Sequence, residues 1–217
     1  MDDNSDNNTN KNSALNSSLW SDLSPYISTH SAHTNKALPP LDKWTPTTIT
    51  PFPLTIQNNG DWWHDGTKMT RQSLINLFAS VLWGEVADND IQYYLKSPSD
   101  LYHINVADVP LFINDVQIVS DDTQVSWIYL HTTHGDRVRI DSEHSLYFGE
   151  FVPNNTHFGK DPNALYIKVR GNLHAKINRT VFYHLLNIGK LYADDTHTSL
   201  ELMSGGHIHT LAVDNLS

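Results

Sequence analysis

"KMTRQSLINLF", residues 68–78, has a counterpart in "KINRTVFYHLL", residues 176–186. Aligned at a shift of 108, both run Lys, an aliphatic residue, Thr or Asn, then Arg, with large apolar residues at the seventh, tenth and eleventh positions. Thr70 and Asn178 stand where a helix N-cap belongs, because a short side-chain oxygen there accepts a backbone N–H that the first turn leaves open. Apolar residues follow at 74, 77, 78, 81 and 82, and at 181, 182, 185, 186 and 188, the spacing of one helical face. Gly84 and Gly189 are the expected helix stops.

Outward from these helices the turn chemistry predicts hairpins. "FPLTIQ" (52–57) leads into "NNGD" (58–61), and "DWWH" (61–64) returns before Asp65-Gly66 turns the chain again. "IQYYLK" (91–96), "SPSD" and "LYHINV" (101–106) make a second hairpin, which closes a first module. A run of strands follows: "LFINDVQIV" (111–119), "VSWIYLHT" (125–132), "RVRID" (137–141) and "SLYFGEF" (145–151). After the loop "PNNTHFGKDPN", the segments "ALYIKVR" and "LHAKI" pair across Gly171-Asn172, and "SLELM", "SGG" and "HIHTLAV" close the chain. The closing hairpin at 91–106, shifted by 108, falls on the one at 199–214, whereas the hairpins ahead of the helices match with an offset of about two residues. The expected fold is α+β: two related hairpin–helix–hairpin modules from domain duplication, spanning 39–106 and 107–217, the second enlarged at its front. Residues 1–38, rich in Asn, Ser, Asp and Thr, are expected to be a disordered tail.

Composition narrows the function classes. The 217-residue chain has no cysteine, which excludes disulfides and thiol chemistry and favours a cytoplasmic setting. No signal peptide is visible and no apolar run is long enough for a bilayer span, so no membrane partner is expected. A net charge of −10 argues against non-specific nucleic-acid binding, which depends on neutralising phosphates. Residues 137–190 nevertheless carry eight basic and four acidic residues, either as a face complementary to the acidic remainder or as a local anion site. The glycine-rich, zinc-protease and nucleophile-elbow signatures are absent, so the reading leans away from an enzyme and expects no cofactor, with an enzyme whose site is scattered over the strands as a third option. "HTTH" (131–134) and "HIH" (207–209) lack the convergent ligand set that zinc needs, and no metal is expected.

The order of these segments resembles the bacterial domain-of-unknown-function family 1285. The resemblance rests on the "W-x-P" entry at Trp44 and Pro46, "GDWWHDG" (60–66), "MTRQSLINLFASVL" (69–82) and "YYLKSP" (93–98). It continues through "VADVPL" (106–111), "HTTHGDRV" (131–138) and "YIKVRGNLHAKINRTVFYHL" (166–185), and covers residues 40 to 190. It implies two related modules, the second resembling a pleckstrin-homology-like half-barrel with a helix. It also implies a ligand site at the module interface, a nucleotide-like ligand and a role in signal transduction. The Asn/Ser-rich head lies outside it.

Arg71 and Arg179 are the positions that the helices do not explain. A cation in a first turn opposes the helix dipole at a cost of about 0.3–1 kcal/mol. Each arginine therefore serves another purpose: a salt bridge to an aspartate such as Asp108 or Asp136, or bidentate capture of a phosphate or carboxylate. Lys168 and Arg170 share one strand face and Arg137 and Arg139 another, as a positive groove or as solvated faces. Trp62, Trp63, Tyr93 and Tyr94 stack on a base or fill the core. The expected ligand-binding set is Arg71, Arg170 and Arg179 for the anion, with Tyr94, Asp108 and Trp63 beside them. The protein is thus read as a cytoplasmic ligand-binding or sensor protein for a small anionic, nucleotide-like ligand. The alternative is a protein–protein adaptor whose arginines are structural.

Overall fold

The computed structural model describes residue 19 and residues 21–26, 38–88, 90–149, 159–193 and 197–214. Most of them are in strands, with helices of nine and ten residues at Gln72–Ser80 and Arg179–Ile188 and a further helical stretch at 21–26. The chain divides into two compact units. One holds the described residues up to Ile56 with Asp61–Glu85 and Gln92–Asn105, and the other holds Gln57–Gly60 and the described residues of Val86–Ile91 and from Val106 onward.

The first unit is built on a six-stranded sheet. Its elements are β1 (Thr48–Ile56), β2 (Trp62–His64), β3 (Thr67–Lys68), α1 (Gln72–Ser80), β4 (Leu82–Ala87), β5 (Asp90–Lys96) and β6 (Asp100–Val106), in the sheet order β3-β2-β1-β6-β5-β4. From Phe52, β1 alternates buried and half-buried residues, the period-two pattern of a strand with one face on a core. Phe52 packs edge-on against Phe78 and Tyr102, Ile56 pairs with Trp62, and these residues with Leu54 and Leu95 are nearly inaccessible to solvent. Burying each such side chain contributes about 1.5–3 kcal/mol, which holds a nine-residue helix too short to persist alone. Asp65 and Gly66, at φ 49° and 73°, form the tight β2–β3 turn that the sequence predicts.

Three expectations need correction here. The first helix ends at Ser80, and residues 82–87 are strand β4, so Gly84 lies inside a strand and stops nothing. Val81 and Leu82 fit helical spacing, but they also open a short apolar run, and such a run is ambiguous by periodicity alone. Arg71, not Thr70, occupies the N-cap, with extended backbone and no side-chain cap. Finally, within the segment expected to be disordered, residues 21–26 are helical. Leu19 and Leu23 are buried beside them, and the Ser97 hydroxyl donates to Asp22 at 2.8 Å. The remainder of that segment, 1–18, 20 and 27–37, lies outside the described residues.

The second unit contains β7 (Leu111–Ser120), β8 (Ser126–Thr132), β9 (Arg137–Arg139), β10 (Leu146–Phe148), β11 (Leu165–Arg170), β12 (Leu173–Ile177), α2 (Arg179–Ile188), β13 (Lys190–Ala193), β14 (His197–Ser204) and β15 (His207–Asp214). One sheet runs β10-β11-β12-β7-β8-β9 and curls as a half-barrel; β13-β14-β15 form a second sheet. The pair β12–β7 is parallel, setting Ala175, Lys176 and Ile177 beside Leu111, Phe112 and Ile113. Asn178 caps α2 as expected, accepting from the Val181 N–H at 2.9 Å, and Gly189 closes it with an N–H to the Leu185 carbonyl. Both helices lead into three antiparallel strands, not the expected hairpin. Shifted by 108, α1, β4, β5 and β6 become 180–188, 190–195, 198–204 and 208–214, which fall on α2, β13, β14 and β15.

Candidate functional site

The second unit holds a cavity of about 510 Å³ where β12 runs into α2. Register explains its floor: Lys176 on β12 stands between Phe112 of β7 and Tyr166 of β11. The helix supplies one wall, because Arg179, Phe182 and Tyr183 lie within its first five residues. The turn at 57–60 supplies another wall with Asn58 and Asn59. At Gly60, φ is +87° and an added Cβ would stand 3.1 Å from the Phe112 ring, so glycine meets both the backbone and the space demands there. The lining thus joins two cations, three aromatic rings and a set of carboxamides.

The two cations differ in their commitments. Lys176 Nζ donates to Asp108 at 3.2 Å and to Asp161 at 3.0 Å. Burial works against its charge, but those hydrogen bonds outweigh it and raise its pKa. Asp108 is 4% exposed and also accepts from the Tyr166 hydroxyl at 2.7 Å and the Lys160 N–H at 2.9 Å. Burial, and next the bond to Asp108, raise the Tyr166 phenol well above its usual range. Tyr166 in turn stacks on Tyr147, whose hydroxyl pairs with His174 Nδ1 at 2.6 Å. Asp108 is therefore an anchor beneath the cavity, with its acceptors already used. Arg179 is exposed, and among the described residues its hydrogen bonds go to a neutral group, the Tyr183 hydroxyl one turn along its own helix, at 3.2 Å from Nη2.

The other expected residues are placed as follows. Arg170 Nε pairs with Asp136 at 2.8 Å, and both side chains are largely buried. Arg71 is exposed in the first unit and donates to the Ser73 hydroxyl at 3.2 Å. Among the described residues neither Arg71 nor Arg179 has a carboxylate within 4.0 Å. The aspartates expected to hold them are engaged by Lys176 and Arg170 instead. Tyr94 is 7% exposed and packs edge-on against His103, while Trp63 sits half-buried opposite Thr55 and Lys68. In the positive groove that the strand faces suggested, Arg137 covers the Tyr129 ring and Arg139 covers Trp127 while pairing with Asp141. Sequence reasoning did not single out Phe112, Phe182, Tyr183 or Lys176. The available signal was the i, i+4 pairing of Arg179 with Tyr183 on one helix face.

The turn that receives Arg170 has a pH signature. Thr132 Oγ1 donates to Asp136 and accepts the Asp136 N–H, with His134 between them. Burial lowers the His134 pKa to about 4, with Asp136 opposing the shift. Between about 4 and the ordinary 6.5, the unfolded chain binds a proton there that the folded chain does not. Stability should therefore fall as pH drops through that window. An NMR titration of the imidazole is expected to show a midpoint near 4, and His134→Gln should flatten the stability slope between pH 4 and 6.5. A midpoint near 6.5 would show that the ring is not sequestered.

Among the described residues no group of three or more His, Cys, Asp or Glu converges to hold a metal, and no helix is long and apolar enough to cross a membrane. A comparison with curated proteins gives no match. Among solved structures, one similar to this chain is a DUF1285 family protein from Silicibacter pomeroyi DSS-3, with a TM-score of 0.64 at 24% identity. The match covers 85% of this chain and 92% of that one, and it supports a shared fold. A DUF1285 family protein from Shewanella baltica OS155 matches at a TM-score of 0.44 and 21% identity, over 63% of this chain and 91% of that one. Residues 39–109 match the N-terminal domain of the family described as domain of unknown function (DUF1285), and residues 110–211 match its C-terminal domain. With both domains matched over most of its length, the chain belongs to the DUF1285 family.

Proposed function

We propose that this protein is a non-enzymatic cytosolic sensor whose second unit binds a small anionic, nucleotide-like ligand in the cavity at the start of α2. The observation that carries this reading is Arg179: an exposed guanidinium with no carboxylate partner among the described residues, in a cavity flanked by Phe112, Phe182 and Tyr183. A guanidinium fork suits a phosphate or carboxylate, the rings suit a planar group, and the carboxamides of Asn58, Asn59 and Asn163 suit polar edges. The adaptor alternative calls for arginines saturated by aspartates, and Arg71 and Arg179 do not support it. The reading also takes the two units as products of a duplication, supported by the coincidence of four consecutive elements at a shift of 108, with the second copy enlarged into a pleckstrin-homology-like half-barrel.

Calorimetric titration with adenosine and guanosine monophosphates as probes tests the site. Hydrogen bonds to a charged group contribute about 1.5–3 kcal/mol, so Arg179→Met should weaken binding at least about tenfold with the melting temperature unchanged. An identical isotherm for wild type and variant would remove Arg179 from the site.

A further inference from the structure

A short helix outside both matched family domains packs within the first unit. Residue 19 and residues 21–26 are helical, and Leu19 and Leu23, four apart, are 1% and 0% exposed. A helix of so few residues does not persist alone in water, so this one exists because it is docked. Its flanks, 1–18 and 27–37, are mostly polar in sequence. The segment "LWSDLSPY" (19–26) thus has the form of a tethered recognition peptide, with two apolar anchors at helical spacing in an otherwise polar stretch.

The surface that receives it reads more than apolar area. Ser97 opens the turn between β5 and β6, and its Oγ accepts the N–H of Ser99 at 3.3 Å and of Asp100 at 3.0 Å. Those two bonds orient the buried Ser97 hydroxyl, which donates to Asp22 at 2.8 Å. Ser99 Oγ, shared with Asp100, stands 2.5 Å from the same Asp22 oxygen. At the far end of the helix, Tyr26 packs edge-on against Trp44, with ring centroids 5.5 Å apart. Ser97, Ser99 and Trp44 belong to the matched N-terminal domain, residues 39–109, whereas the helix does not. The recess is therefore a feature of the domain, and this chain fills it with a segment of its own.

We infer that this recess is a docking site for a short amphipathic helix of another protein, one with the pattern Leu-x-x-Asp-Leu. Residues 19–26 occupy it in cis until such a helix displaces them. Two leucines four apart supply the anchors, and the acid between them sets the register by meeting the Ser97–Ser99 turn. Tethering raises the local concentration of this strap to the millimolar range, so an outside helix enters when it binds better or when the strap is loosened. The docking site goes beyond the anionic site, which belongs to the second unit.

The test uses the full chain and a fluorescein-labelled peptide of residues 16–28, read by fluorescence anisotropy. In Leu19→Ser/Leu23→Ser the strap is released, and the peptide should bind saturably at one-to-one stoichiometry. Wild type, its recess filled, should bind the peptide at least about tenfold more weakly. A peptide carrying Asp22→Ala should bind the released chain about tenfold more weakly than the unaltered one, for loss of the serine hydrogen bonds. If the double variant fails to fold, Asp22→Ala in the full chain loosens the strap while keeping both leucines, and it should bind the unaltered peptide more tightly than wild type does. The inference is overturned by a released chain without saturable binding, by equal affinity of wild type and released chain, or by an Asp22→Ala peptide that binds as the unaltered one does. Sedimentation of wild type is expected to show a monomer. A dimer that is lost in Leu19→Ser/Leu23→Ser would assign the recess to a second copy and overturn the choice of an outside helix.

Discussion

Asp108→Ala is expected to lower the stability of the second unit by about 3 kcal/mol, at the lower end of what breaking a buried ion pair costs. Three donors lose their acceptor at once: the Tyr166 hydroxyl, the Lys176 ammonium and the Lys160 N–H. The lower end is appropriate because Lys176 keeps Asp161 and its side chain is 19% exposed, so the stranded charge is partly compensated. For a chain of this size the loss corresponds to a fall in melting temperature of roughly 6–12 °C. Amide exchange should accelerate first in β11 and β12, which carry Tyr166 and Lys176. Asp108→Asn, which preserves shape and an acceptor, should fall between the two. A melting temperature within a degree of wild type for the alanine variant would mean that Asp108 is not the anchor beneath the cavity.

Gly149→Ala should be nearly as damaging, by a different route. An added Cβ would stand 2.5 Å from both the Asp161 carbonyl oxygen and the Tyr166 ring. Neither neighbour gives way readily: the ring is stacked on Tyr147 and tied to Asp108, and the carbonyl is backbone. Gly149 is also pinned through its N–H to the Ala164 carbonyl at 3.0 Å. Overpacking of this kind costs about 2–3 kcal/mol, or roughly 4–12 °C in melting temperature. The Tyr166 ring resonances should move as well, since that ring is what the methyl meets. A variant that melts with wild type and leaves Tyr166 unshifted would show that the loop accommodates the methyl without disturbing the network.

The parts of this fold that sequence discloses are those set by local chemistry. Asp65-Gly66, Gly171 and Gly205-Gly206 all adopt positive φ at the turns where they were expected, because few other residues do so cheaply. Asn178 caps its helix through its own side chain, an interaction between residues three apart. What sequence hides is decided by distant pairing. β4 and β13 look like helix ends or linkers, since Leu82-Trp83 and Leu191-Tyr192 carry no alternation long enough to distinguish strand from helix. Only their antiparallel partners make them strands.

The same division holds at the candidate site. Arg179 stood out because it is misplaced against a helix dipole, a local argument. The three rings around it come from β7 and α2, and their convergence depends on the parallel β12–β7 register, which no sequence window contains. Asp108 was singled out as a carboxylate near the arginines. Its burial beneath Lys176 and Tyr166 depends on contacts 58 and 68 residues away in sequence. Local reasoning found charges and long-range packing assigned their partners, so Arg179 kept its freedom while Asp108 and Arg170 did not.

Native mass spectrometry of the purified full chain tests the central claim most directly. With adenosine or guanosine monophosphate added, wild type should appear as a one-to-one adduct that is lost in Arg179→Met. Bare wild-type mass with both probes, or an adduct that persists undiminished in Arg179→Met, would contradict the placement of an anionic, nucleotide-like ligand at the start of α2.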